Sequence, residues 1–162
     1  NEYMKTLVRE SMLSDAKPLA KFLRKADLRE LYATDGKDVD VEEILAQSIK
    51  ATTDPKTIEV DGEPIGVFGV VDGNEDVPTI GWIWMVGTDR IGEVRTYFLR
   101  HCKEELEKMQ DSFEVLCNYV DARNSVHIKW LRWMGFSFLR EVHDYGEERR
   151  TFYEFARINI NV

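Results

Sequence analysis

The sequence predicts an α/β (α+β) domain in which about seven strands form one sheet flanked by helices. Three observations predict it. Residues 113–136 combine a short apolar run, a polar turn, a helical pattern and the start of another strand. Asp61 and Gly62 separate two further strand-like runs and favour the positive backbone angles of a tight hairpin. Residues 93–109 carry one apolar stripe, which is typical of a helix packed on a sheet.

The first half of the chain is predicted to form a strand, three helices and a hairpin. Apolar residues recur at helical spacing in the helical segments. Asp40, with Glu43 three residues later, makes an N-terminal capping pair for the third helix. In order, the predicted elements are a strand at 3–10, helices at 14–25 and 26–33, a helix through Ile44, Leu45, Ser48 and Ile49, and strands at 57–60 and 64–71.

The second half is predicted to contain four strands and two helices. The run from Ile80 to Val86 is apolar on both faces, which is typical of a central strand. Asp121 or Asn124 can cap the last helix, and Gly135 can take the left-handed conformation that ends it. In order, the elements are a polar loop at 72–79, a strand at 80–86, a helix at 93–109, a strand at 114–120, the last helix, and strands at 136–142 and 150–158 joined around Tyr145 and Gly146.

The composition fits a single intracellular domain over residues 1–162. A hydrophobic content of 43% in 162 residues supports one sizeable core. A net charge of −8 argues against a sequence-independent nucleic-acid binder. No window approaches the roughly 20 apolar residues of a membrane span, and the N-terminus lacks a signal-peptide pattern. Cys102 and Cys117 lack metal-ligand spacing and are expected to be core thiols in a reducing compartment.

The order of elements and several residues resemble the GNAT family of N-acetyltransferases. Asn124 near the start of the last helix and Gly135-Phe136 at its end match the closing motif of that family. The run from Leu23 to Leu31, with Asp27 and Glu30, resembles a narrower group, the internal virion protein A type of short-tailed phages. The resemblance implies a mixed, mostly antiparallel sheet and a phage-encoded protein that acts in the host cytoplasm or is packaged in the virion.

The resemblance places an acetyl-CoA site at the end of the strand 80–86 and in the turn that follows it. Strand amides would orient the thioester, and a helix N-terminus after a glycine-rich turn would hold the pyrophosphate. Here the turn has one glycine near the helix start, while Asp89 and Glu93 add negative charge where phosphates would lie. Weak or absent acetyl-CoA binding is therefore expected, and the turn can also be only a capped connection. The candidate cofactor-binding residues are Met85, Val86, Gly87, Arg90, Ile91, Gly92, Arg95 and Asn124.

The usual proton donor of this family is absent. Many GNAT enzymes place a tyrosine four residues before the helix-ending glycine, where Leu131 stands here. His127 shares a helix face with it, and an ordinary histidine pKa of about 6.5 suits proton exchange near neutral pH. His127 is therefore the candidate catalytic residue, with a surface or capping role as the alternative. His101 and His143 form no cluster with it by spacing, so no metal site is predicted.

Two functions stay open from the sequence. In the first, a phage-encoded accessory or virion-associated protein keeps the acetyltransferase scaffold, with a degenerate acetyl-CoA site, as a binding module for a virion or host protein. In the second, the chain is an acetyl-CoA-dependent N-acetyltransferase that acts on an amine of a protein or small molecule. Fold alone does not choose between them.

Overall fold

The computed structural model describes residues 5–73 and 79–159, without the side chain of Tyr97. The described residues form seven strands, five α-helices and two 3-10 helices. In chain order these are β1 (Thr6–Glu10), a 3-10 helix (Leu13–Asp15), α1 (Ala16–Lys21), α2 (Lys25–Asp35), α3 (Val41–Ala51), β2 (Lys56–Val60), β3 (Glu63–Asp72), β4 (Ile80–Gly87), a 3-10 helix (Asp89–Glu93), α4 (Thr96–Gln110), β5 (Val115–Asp121), α5 (Ser125–Trp133), β6 (Ser137–Tyr145) and β7 (Arg150–Ile158).

The strands form one sheet in the order β1-β2-β3-β4-β5-β7-β6. Every neighbouring pair is antiparallel except β4 and β5, which are parallel. The predicted mixed, mostly antiparallel sheet is therefore confirmed. The β4–β5 ladder joins residues 80–82 to 115–117 and stops there, although both strands continue. The space beyond it, called the β4–β5 gap below, is the main irregularity of the sheet.

Helices cover both faces of the sheet. On one face, α4 and α5 pack on the larger core; on the other, α1 and α3 pack on a smaller one. Alternate residues of β4 enter these two cores, with Ile83 and Met85 in the first and Trp84 and Val86 at the edge of the second. The prediction of a central strand from its two apolar faces is confirmed.

Several local predictions agree with the backbone. Asp61 and Gly62 both have positive φ, at 50° and 85°, as a tight hairpin turn requires. Gly135 has φ 93° after the last helix, and Phe136 enters the core with 5% of its surface exposed. Of the two candidate caps for α5, Asn124 is the N-cap, because its side-chain oxygen accepts a 3.2 Å hydrogen bond from the backbone N–H of residue 127.

The predicted helix over 14–25 is wrong beyond Lys21. Leu23 forms an antiparallel bridge with Thr88, and the Arg24 N–H donates a 3.0 Å hydrogen bond to the Gly87 carbonyl. Because this extended segment pairs with the end of β4, the chain leaves the helix and restarts it one turn later as α2.

The long helix starts later than predicted, at Thr96 instead of residue 93. Thr88 caps the preceding 3-10 helix, and residues 94 and 95 are extended, which lets Val94 enter the core at 8% exposure.

Residues 3 and 4 of the predicted first strand and residues 74–78 of the predicted loop lie outside the described residues. No helix among the described residues is long and apolar enough to cross a membrane.

Candidate functional site

A carboxylate from α2 reaches across the β4–β5 gap. Asp27 is 4% exposed, and its Oδ2 accepts hydrogen bonds from the Gly87 amide (2.9 Å) and from Nε of Arg24 (2.8 Å). Its Oδ1 accepts a 3.1 Å hydrogen bond from Nδ2 of Asn124. One side chain thus joins α2, β4 and the N-cap of α5. The first turn of a helix favours an acidic residue at this position, since the helix dipole is positive there.

The N–H and the carbonyl of Gly87 are therefore both hydrogen-bonded to other residues of this chain. Its N–H is bound by Asp27 and its carbonyl accepts from the Arg24 backbone. The carbonyl of Ile83 also points into the gap, where it accepts a 2.8 Å hydrogen bond from the Asn118 amide. Peptide groups alternate in direction along a strand, so those of Met85 face the gap and those of Val86 face β3.

Arg24 is a buried cation with one carboxylate partner. The residue is 5% exposed, and its Nη2 has no hydrogen-bond partner among the described residues. The charge is compensated by the ion pair with Asp27. Removing one member of such a pair leaves an uncompensated buried charge, so the pair holds the start of α2 firmly against β4.

Glu30 lies one helical turn after Asp27 and faces the same cluster. Its Oε1 accepts 3.1 Å hydrogen bonds from the backbone N–H of Asp121 and from Nδ2 of Asn124. Burial of the carboxyl group, together with the charges of Asp27 and Asp121, raises the pKa of Glu30 to about 8. Glu30 is therefore mostly protonated at neutral pH.

His127 lies beside this cluster, 6% exposed. Burial lowers the pKa of its imidazole to about 4, with the Arg24 charge adding to the shift and the Asp27 charge opposing it. The ring is neutral at pH 7, a state in which it has no readily donated proton, so the environment disfavours it as a general acid. Asn124, His127 and Leu131 do share one buried face of α5, as their spacing predicts.

A cleft of about 200 Å³ opens at the β4–β5 gap. The rings of Tyr119 and Tyr145 stack at 5.0 Å on one side of it, and the Tyr119 hydroxyl donates to Glu154. The structure brings part of the predicted site together here with residues that the sequence analysis gave no chemical role. The cleft lining includes Met85, Val86 and His127 of the predicted site, and Asp27, Glu30, Asn118, Tyr119 and Tyr145.

The turn after β4 holds the other predicted cofactor residues and has a different local structure. The backbone N–H groups of Arg90, Ile91 and Val94 all bond within the turn. The Arg90 side chain pairs with Glu63 at 2.7 Å and with Glu93 at 3.4 Å.

The remaining residues of the turn also differ from a glycine-rich cradle. A Cβ on Gly92 would meet nothing within 4 Å, so the small residue opens no buried space. Ile91 packs over the spaces beside Gly66 and Gly87. Arg95 is exposed and precedes α4 without a side-chain cap. The described residues from Asp89 to Glu93 therefore differ from the glycine-rich turn that the resemblance implies.

Sequence reasoning missed the roles of Arg24, Asp27 and Glu30. The signal was present, since Asp27 and Glu30 lie three apart on a predicted helix and so share one face. The sequence does not show which part of the chain this helix face packs against.

Comparison with known proteins gives the family. The sequence model of a phage family, described as bacteriophage T7 probable scaffold protein Gp13, matches residues 58–143, more than half of the chain. The chain belongs to this family. No match is found among curated proteins.

Solved structures share the whole fold of this phage family member at low sequence identity. A ribosomal-protein-alanine N-acetyltransferase from Brucella melitensis has a TM-score of 0.69 at 16% identity, covering 94% of this chain and 99% of its own. A putative acetyltransferase from Salmonella typhimurium, solved with its cofactor acetyl-CoA, has a TM-score of 0.67 at 12% sequence identity. The match covers 94% of this chain and 93% of that chain. RimJ from Mycobacterium smegmatis, in complex with CoA-disulfide, has a TM-score of 0.70 at 16% sequence identity. The match covers 97% of this chain and 83% of the RimJ chain. The GNAT fold is confirmed.

Proposed function

We propose that this chain is a phage scaffold or virion-associated accessory protein that uses the GNAT fold as a protein-binding module. The observation that carries the proposal is the occupation of both Gly87 peptide groups by Asp27 and Arg24. A thioester ligand that used the Gly87 groups would have to displace a buried ion pair to reach them.

The turn after β4 supports the same proposal. The amides of Arg90, Ile91 and Val94 bond within the turn, and the Arg90 side chain is paired with two carboxylates. A phosphate placed there would meet the carboxylates of Glu63, Asp89 and Glu93, and like charges within a few ångströms repel. Weak or absent acetyl-CoA binding is the expected result.

The family supports a proposal for where the chain acts. Membership in a phage scaffold family supports a role in particle assembly, in the host cytoplasm or inside the virion, with a virion or host protein as the partner. The resemblance of the run from Leu23 to Leu31 to the internal virion protein A type group favours the packaged form. That same run contains Arg24, Asp27 and Glu30, the residues that close the β4–β5 gap. No nucleic-acid partner is expected.

Calorimetric titration and thermal shift with acetyl-CoA test the proposal. A ligand at a hundred times its dissociation constant stabilises a fold by about 2.7 kcal/mol. We expect no saturable heat and no rise in melting temperature, with a GNAT acetyltransferase as positive control. A saturable rise at micromolar acetyl-CoA would contradict the binding-module proposal. Mass spectrometry of purified virions then measures whether the chain is packaged.

An acetyl-CoA-dependent N-acetyltransferase acting on an amine is the second candidate. The observation that favours it is Glu30, a carboxyl group with a pKa of about 8 at a cleft, since general acids and bases work best near the operating pH. If turnover is found, Glu30→Gln should lower it by about a hundredfold. His127→Ala and Leu131→Tyr test the alternative proton donor on α5. Loss on His127→Ala with no change on Glu30→Gln would assign the chemistry to the imidazole.

A further inference from the structure

A basic and apolar surface lies along α1 and the residues that flank it. Three of the seven large apolar side chains that the described residues leave exposed come from residues 12–22. They are Met12 at 55%, Leu13 at 54% and Phe22 at 61% exposure. Isolated exposed apolar residues are ordinary, but such a concentration in one short segment indicates a contact surface.

The charges of the same segment are uniformly positive at the surface. Lys17, Lys21 and Lys25 are exposed. Asp15 is buried and paired with Arg9, and Arg24 is buried and paired with Asp27. From residue 11 to residue 26 the described surface therefore carries three cations and no exposed carboxylate.

Lys17, Lys21 and Phe22 are neighbours on this part of the chain. Lys17 and Lys21 are four apart on α1 and so share a helix face. The Lys21 ammonium lies 5.4 Å from the centre of the Phe22 ring, which places a cation directly beside the most exposed aromatic residue of the segment. Met12 and Leu13 stand at the other end of the same helical run.

We infer that this surface, defined by Met12, Leu13, Lys17, Lys21, Phe22 and Lys25, docks the chain reversibly on an anionic phospholipid bilayer. The three exposed cations favour an anionic partner. The three apolar side chains are each more than half exposed, so they project outward from the domain. Fluid headgroups need no complementary shape, whereas a folded protein partner does.

The net charge of −8 does not oppose this contact strongly. The screening length in physiological salt is about 8 Å, while a domain of this size has a radius of gyration of about 15 Å. Charges on the far side of the domain are therefore largely screened from the bilayer, and the opposing charges close to the surface include the exposed Glu42 and Glu43 at the start of α3, which packs on α1. Lysines can also extend their ammonium groups toward headgroups while Phe22 and Leu13 enter the interface.

Vesicle sedimentation of the full chain tests this inference, and it does not depend on acetyl-CoA binding. The probes are vesicles of phosphatidylcholine with one quarter phosphatidylglycerol, and vesicles of phosphatidylcholine alone. We expect binding to the anionic vesicles only, weakened by high salt. Lys17→Glu/Lys21→Glu should lower the partition coefficient by about tenfold or more, and Phe22→Ser should lower it severalfold.

Matched variants separate this surface from general effects. Lys37→Glu/Lys129→Glu makes the same change in net charge at exposed lysines elsewhere, and Leu139→Ser removes an apolar side chain of similar exposure, 59%. Both should bind as the wild type does. No binding to anionic vesicles at low salt, or equal loss in the control pair, would overturn the inference. Binding to soluble poly-L-glutamate that does not require Phe22 would overturn it in favour of an acidic protein partner.

Discussion

The carboxylate of Asp27 and the amide of Gly87, 60 residues apart in the chain, are joined by a 2.9 Å hydrogen bond across the β4–β5 gap. The contact ties the start of α2 to the end of the central strand β4. Asn124 donates to the other oxygen of the same carboxylate, so the last helix is held at the same point. The place where the sheet is least continuous is therefore closed by side chains.

Replacing Asp27 should destabilise the fold strongly. Asp27→Asn removes the charge that compensates buried Arg24, and breaking a buried ion pair in this way costs about 3–5 kcal/mol. Urea unfolding measures the loss. Asp38→Asn, at an exposed acidic residue after the same helix, should change the free energy of unfolding by less than about 0.5 kcal/mol. Equal midpoints for the two variants would mean that Arg24 is compensated by another group.

Glu30 should make the fold less stable as the pH rises. The pKa of Glu30 is raised from 4.5 to about 8, so between these values the folded state holds a proton that the unfolded state releases. The contribution of Glu30 to the free energy of unfolding then falls from about pH 4.5 to about pH 8 and levels off above it.

Urea unfolding between about pH 4.5 and pH 8 measures this change in the free energy of unfolding. Between about pH 6.5 and pH 8, above the window in which His127 contributes with the opposite sign, Glu30→Gln should remove the decline, whereas Glu107→Gln, at an exposed residue of α4, should keep it. The same slope in wild type and Glu30→Gln would show that Glu30 is ionised at neutral pH.

His127 should act in the opposite direction at lower pH. The pKa of His127 is lowered from 6.5 to about 4, so the unfolded state binds the proton first. Its contribution is fully present above pH 6.5 and is lost as the pH falls toward 4. His127→Gln should reduce the slope of stability with pH in this window, relative to the exposed control His101→Gln. Direct NMR titration of the His127 ring gives an independent measurement, and a pKa near 6.5 would contradict the prediction.

Gly135 should tolerate no branched side chain. Its φ of 93° is strained for other residues, and a Cβ there would lie 3.3 Å from Nε of Arg157. Gly135→Val should lower the free energy of unfolding by about 1–3 kcal/mol. The control is Gly92→Val, where a Cβ meets open space and a change below about 0.5 kcal/mol is expected. Comparable losses at both positions would point to a general effect of valine.

The sequence by itself determined the elements that depend on neighbouring residues. The apolar periodicities predicted all seven strands, the Asp61-Gly62 pair predicted its hairpin, and Asn124 and Gly135 marked the two ends of α5. These signals are local, because caps, turns and amphipathic faces depend on residues a few positions apart. The order of elements was enough for the GNAT fold to be expected before the structure confirmed it.

Only the tertiary structure decided the state of the site. The helix over 14–25 breaks because Leu23 and Arg24 pair with β4, a partner more than 60 residues away. The raised pKa of Glu30 and the lowered pKa of His127 come from burial beside groups on other elements. Burial and long-range contacts are properties of the assembled chain, so a helix face that reads in the sequence as ordinary polar surface becomes the cluster that closes the β4–β5 gap.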